Sequence, residues 1–186
     1  MLQLTTDSTP SIMTRFYSTQ KLFTSSTKLD TFYFCYCLLH IPITVLIDSA
    51  LVIPTQWQPS FQKAIIEFHT SSNNDYLLLS PPDWLVVFGW VEILFQLPLF
   101  GYAALQLYKR SPTIYPLLFV YGVEAAVTTL CCLLHIVSEG GNHGLTQMEV
   151  INLFGVYLPT FVIPLFMAID VFTREWNSPV NEKKRD

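Results

Sequence analysis

Apolar positions fall into four long runs separated by polar stretches, at about Thr31–Ile53, Trp84–Leu107, Thr113–Val137 and Met148–Phe172. A transmembrane helix needs roughly 20 mostly apolar residues, and each run is that long. The buried helices of a soluble protein would carry charges along one face, yet no Lys or Arg lies inside any of the four. The pattern predicts an all-α integral membrane protein, a four-transmembrane-helix bundle with proline-kinked helices. It divides the chain into a disordered tail at 1–30, a membrane domain at 31–172 and a second tail at 173–186. Between the first two runs, Pro59–Thr70 shows a shorter helical period, with Phe61, Ala64, Ile65 and Phe68 on one side. This predicts an amphipathic helix that lies on the membrane surface or caps a cavity. Asn73-Asn74-Asp75 reads as a turn, and Pro81-Pro82-Asp83 leads into an interfacial Trp84 with Asp83 as helix cap.

Composition agrees. The 186 residues are 51% hydrophobic and 13% charged, with a mean hydropathy of +0.40, whereas soluble domains are about 25% charged. That excludes a cytosolic enzyme and a nucleic-acid binder, and the net charge of −4 gives no footprint for an anionic partner.

The positions of the bases say more than their sum. Arg15, Lys21 and Lys28 precede the first run, Lys109 and Arg110 stand between the second and third, and Arg174, Lys183, Lys184 and Arg185 follow the fourth. Only Lys63 breaks the pattern. The positive-inside rule therefore predicts that both termini are cytosolic and that loops 54–83 and 138–147 are lumenal. Lys183 and Lys184 stand fourth and third from the end, the dilysine pattern of endoplasmic reticulum (ER) retrieval, which works only on a cytosolic tail. A basic tail that merely completes the charge bias is the alternative. The Ser/Thr-rich first 30 residues read as a cytosolic tail or, from the acid-free stretch 13–29, as a mitochondrial transit segment. Cys35, Cys37, Cys131 and Cys132 all fall within spans and read as buried small residues, with no disulfide, metal site or cofactor motif.

Ionisable groups inside a span cost about 2.5–3.5 kcal/mol each on insertion scales and are functional candidates by default. Asp48 lies toward the lumenal end of the first span, with Thr44 and His40 at successive i−4 steps. Glu92 lies about two turns into the second, with Gln96 one turn on and Pro98 just beyond. Glu124 sits mid-span in the third, with Tyr121 and Thr128 on its face. Glu149 and Asp170 lie near span ends, within reach of the headgroups. Without an intramembrane base, some of these acids are protonated, or one stays ionised for a cationic ligand. Asp48 and Glu92 share the lumenal half and can share a proton; the bland alternative is that the acids glue helices by hydrogen bonds. Pro42, Pro98, Pro116, Pro159 and Pro164 each remove a helical N–H and leave room for a cavity. Its predicted walls are Phe34, Tyr36, Phe88, Trp90, Phe95, Tyr121, Tyr157 and Phe161. An apolar pocket with a few polar groups is a small-molecule site, here for a membrane lipid.

His40-Ile41-Pro42-Ile43-Thr44 followed by Asp48, then Pro81-Pro82-x-Trp84, Glu92-x-x-x-Gln96-Leu97-Pro98, Tyr157-Leu158-Pro159 and Ile163-Pro164 resemble the sigma-2 receptor (sigma intracellular receptor 2) family. That family belongs to the EXPERA domain superfamily and is related to the emopamil-binding sterol isomerase. The resemblance spans about 30–174. It implies a four-helix ER membrane protein that binds sterols and cationic amphiphiles and acts in cholesterol homeostasis. It assigns Asp48 to the ligand amine, Glu92 to a proton shared with Asp48, Gln96 to a polar neighbour and Asp75 to a structural role in the lumenal loop. Glu124 stands where His or another polar group is expected. The implied partners are the sterol or amine ligand, membrane lipids, a lysosomal cholesterol transporter of the Niemann–Pick type C kind and, as a candidate assembly, a homodimer. Two alternatives remain. A sterol Δ8–Δ7 isomerase would use the intramembrane acids, but Thr44 occupies the place of the His that the isomerase branch carries one turn before its acid. A tetraspan scaffold would bind no ligand.

Overall fold

The computed structural model describes residues 12–176, with side chains described for residues 28–175. Helix α1 (Ile12–Leu46) contains Pro42 and gives way to a 3-10 turn over Asp48–Leu51. At this end the Ser49 hydroxyl donates to the Val45 carbonyl at 2.7 Å, taking up an acceptor the ending helix leaves free. The tail expected to be disordered up to residue 30 is helical from Ile12. No Pro or Gly lies between Ser11 and Pro42, so the membrane helix propagates back at little cost once nucleated.

The loop between the first two spans holds α2 (Ser60–Asn73) and the short α3 (Tyr76–Leu79). Asn74, at φ 51°, ends α2 in the left-handed conformation that Asn tolerates. Helix α4 (Asp83–Val91) opens the second span. Pro82, not Asp83, holds its cap position: the Pro82 carbonyl accepts from the Leu85 and Val86 N–H groups. Asp83 is the first helical residue and meets the positive end of the helix dipole. The span continues through a π-turn over Glu92–Gln96 into α5 (Leu97–Tyr108). Pro98 cannot donate to an i−4 carbonyl, and in the widened turn before it the Leu97 N–H reaches back to the Glu92 carbonyl. Arg110, at φ 54°, reverses the chain into α6 (Tyr115–Glu139), and α7 (Gln147–Trp176) follows. Pro116 lies in the first turn of α6, where its missing N–H is harmless, so it does not kink that helix.

Among the described residues, four helices are long and apolar enough to cross a membrane: Lys28–Leu51, Asp83–Tyr108, Pro112–Glu139 and Gln147–Glu175. The chain is an all-α membrane protein. Helix α6 packs along α7, and α1 packs along α5. Gly122 permits the first of these approaches: a Cβ there would lie 2.5 Å from the Pro164 carbonyl oxygen and 2.9 Å from the Ala168 Cβ. Leu94, Leu105, Leu134, Ile151 and Ile169 are each more than half exposed and face outward, as residues against lipid do.

The end of the bundle opposite the α2–α3 loop is clamped by charge. Arg174 Nη1 donates to Asp30 Oδ1 at 2.6 Å, and Arg174 also pairs with Asp170. The hydroxyls of Tyr33 and Tyr115 donate to Asp170 at 2.8 Å and Asp30 at 2.9 Å. Asp170, expected near the headgroups, is thus part of a network joining α1, α6 and α7.

Candidate functional site

A cavity of about 300 Å³ lies among the four spans beneath the loop that carries α2 and α3. Its floor is the contact between the Tyr36 and Tyr121 hydroxyls, 3.0 Å apart. Its walls come from α1, the π-turn, α6 and α7, and its roof from α2 and α3. Among the described residues, no Lys or Arg lines it.

Seven of the eight residues expected to meet a ligand line this one space: His40, Thr44, Asp48, Glu92, Gln96, Tyr121 and Tyr157. The α1 stripe survives the end of the helix. Thr44 is buried with its hydroxyl beside the Asp48 carboxylate, and what exposure Asp48 keeps opens into the cavity. His40 Nδ1 lies 3.0 Å from the Tyr36 carbonyl. A carbonyl only accepts, so Nδ1 carries the hydrogen.

The π-turn sends its two polar side chains different ways. Gln96 is buried, and its Nε2 donates to Glu124 Oε2 at 2.8 Å. Glu124 therefore stands behind Gln96 and binds α6 to the second span instead of lining the cavity. Glu92 Oε2 is buried and accepts no hydrogen bond from the protein. Asp48 and Glu92, expected to share a proton, both line this space. Of the other aromatic walls expected, Tyr36 and Phe88 line the cavity. Phe34 and Phe95 pack against the core, Trp90 is half exposed on the outer face, and Phe161 lines a separate apolar groove between α6 and α7.

Asp75 is fully buried and holds the roof in place. Its Oδ1 accepts from the N–H groups of Leu77 at 3.1 Å and Leu78 at 3.4 Å, capping α3. Its Oδ2 accepts from the Tyr157 hydroxyl at 2.9 Å and from His69 Nε2 at 3.2 Å. One carboxylate thus joins α2, α3 and α7. Tyr157, expected at the ligand, presents its ring to the cavity while its hydroxyl is committed to Asp75.

His69 is the residue that sequence reasoning passed over. It sits on α2 and lines the cavity, and its hydrogen bond to Asp75 holds its pKa above the ordinary histidine value, against desolvation. The spacing His69–Asp75 across the Asn73-Asn74 turn was the available signal. Helix α2 is also inverted relative to a soluble amphipathic helix. Gln62 and Thr70 are buried, whereas Phe61 and Phe68 are exposed. Gln62 Nε2 donates to the Ser49 hydroxyl at 2.8 Å, and Gln58 Nε2 to the Ile53 carbonyl at 2.7 Å. The polar side closes the cavity, and the apolar side faces away from the bundle.

The EXPERA family (EXPanded EBP superfamily) matches residues 61–171, from the first turn of α2 to near the end of α7. "Efficient mitochondria targeting-associated protein 19" of Saccharomyces cerevisiae is 36% identical over 147 residues, which cover 72% of this chain and 91% of that protein. The protein of the same name in Schizosaccharomyces pombe is 30% identical over 164 residues, covering 84% and 83%. "Sigma intracellular receptor 2" of Homo sapiens is 30% identical over 148 residues, covering 72% and 81%.

Proposed function

The chain belongs to the EXPERA family, and from that premise we propose that it is an ER membrane protein that binds sterols or cationic amphiphilic lipids within the bundle and so regulates cholesterol trafficking. One observation carries this reading. Asp48 and Glu92 open onto one largely apolar cavity that no Lys or Arg lines among the described residues, and Glu92 Oε2 has no hydrogen-bond partner. A buried carboxylate without a partner is costly. An ammonium group, or a hydroxyl donor such as that of a sterol, would supply what the protein withholds, and the apolar walls suit the rest of a lipid. Asp48 is placed to meet the charge, and Glu92 and Gln96 to fix the polar end.

The test is binding of a radiolabelled cationic amphiphile to the full chain in detergent. Asp48→Asn is expected to lower affinity at least tenfold, with expression unchanged; unchanged binding would sink the ionised-carboxylate reading. If the purified protein converts a Δ8-sterol and Glu92→Gln abolishes that, the cavity is an isomerase site instead. The name of the fungal relatives favours a second reading, a role in efficient mitochondria targeting. It predicts that deleting this chain slows precursor import into mitochondria and that Asp48→Asn restores import as well as the wild type does.

A further inference from the structure

Among the described residues, His69 is the one cavity-lining side chain besides His40 that can carry a positive charge. It differs from His40 in its surroundings. His40 spends its N–H on a neutral carbonyl, whereas His69 Nε2 donates to the Asp75 carboxylate, and Asp48 adds its field from the turn after α1. Tyr157 reaches the same Asp75 oxygen from α7. Across the cavity stand Glu92, at the start of the π-turn, and Cys132 on α6. His69 therefore bonds one carboxylate and feels the field of a second, beside a space that no Lys or Arg lines among the described residues. Its side chain keeps 23% of its surface exposed, so protons can reach it.

We propose that His69 is the cavity's own counter-ion, and that a proton on His69 and the charge of an amine ligand compete for the field of Asp48 and Asp75. This rests on the cationic-amphiphile reading above and adds a specificity rule to it. A protonated His69 disfavours an amine and leaves a neutral sterol unaffected; a neutral His69 admits both. The hydrogen bond to Asp75 favours the protonated state, the one that disfavours an amine. Coupling between two sites is reciprocal: if the proton weakens cation binding tenfold, the bound cation lowers the His69 titration midpoint by one pH unit.

The test uses the full-length wild-type protein in neutral phosphatidylcholine nanodiscs, with histidine rings labelled for NMR. The probe is a long-chain alkyl trimethylammonium, whose charge does not titrate. Saturation with the probe is expected to lower the His69 midpoint by about one unit, whereas cholesterol leaves it in place. An unshifted midpoint in the presence of bound probe overturns the proposal. His69→Gln, which keeps a donor for Asp75 without a charge, should bind the probe more tightly than wild type at acidic pH and equally at alkaline pH; equal affinity at both also overturns it. Asp48→Asn separates the two readings. Binding lost in Asp48→Asn with an unshifted His69 midpoint removes only this inference. Binding unchanged in Asp48→Asn removes the reading beneath it.

Discussion

Asp75 gathers four donors while fully buried, and no other described residue binds so much of the roof. Asp75→Ala would leave the Tyr157 hydroxyl, the His69 ring and two backbone N–H groups without an acceptor. Hydrogen bonds to a charged group are worth about 1.5–3 kcal/mol each, so a loss of at least 3 kcal/mol is expected, read as a lower thermal unfolding midpoint in detergent. Part of this stabilisation depends on pH. Contact with Asp75 raises the folded-state pKa of His69 above its unfolded value. The contribution is therefore complete below about pH 6.5 and is lost as pH rises through the folded-state value. Melting curves should show wild type exceeding His69→Gln most at about pH 6, with the gap closing toward alkaline pH; a gap that widens instead would contradict the assignment. Sequence and structure diverge at these residues for a physical reason. Asp48 and Glu92 were legible because a carboxylate in an apolar span is costly enough to need a purpose. His69 lies outside the spans, where a histidine costs little and so draws no notice.

The same contrast holds for whole elements. The spans were legible because their length and lack of basic residues leave few alternatives. Period alone located α2 and its apolar side, but not which side meets the bundle. In water the apolar side turns inward; beside a bilayer it can turn outward, and here Gln62, His69 and Thr70 take the inside. The π-turn before Pro98 was invisible, because Glu92 and Gln96 are spaced as an ordinary helical turn would space them. Its consequence, Gln96 bonding to Glu124 while Glu92 Oε2 is left without a hydrogen bond, needs the three-dimensional path. The α6–α7 contact was equally hidden, since Gly122 reads as any helical glycine until Pro164 and Ala168 are placed against it. Gly122→Ala should cost about 1–3 kcal/mol through overpacking against backbone that cannot retreat. Gly101 is the control, because a Cβ there meets nothing within 4 Å. Gly101→Ala should be neutral or stabilise by up to about 1 kcal/mol. Equal melting points for the two variants would show that the close approach is not a constraint.

For the whole molecule, the bundle has two chemically different ends. One carries the roof, where Asn74 Nδ2 donates to Glu149 Oε1 at 2.8 Å and ties the turn after α2 to the start of α7. The other carries the Asp30–Arg174–Asp170 clamp. The four described spans bring Asp30 and Arg174 to the same, clamped end; which compartment that end faces is the proposal made by the bases. Nine of ten stand on that side in the sequence, and the exception, Lys63, is exposed on α2 at the roof. The argument is electrostatic, because translocating basic loops is disfavoured, so it predicts a labelling pattern. In sealed ER vesicles, Lys63→Cys should be protected from a membrane-impermeant thiol reagent and become reactive on permeabilisation. Lys109→Cys, exposed in the short loop after α5, should react without it. The reverse pattern would place the roof in the cytosol. It would also remove the basis for retrieval through Lys183 and Lys184, which lie outside the described residues and can be read by cytosolic coats only from the clamped end. With the predicted pattern, replacing both lysines by Ser should release the protein from the ER, since the remaining basic residues maintain topology but carry no retrieval signal.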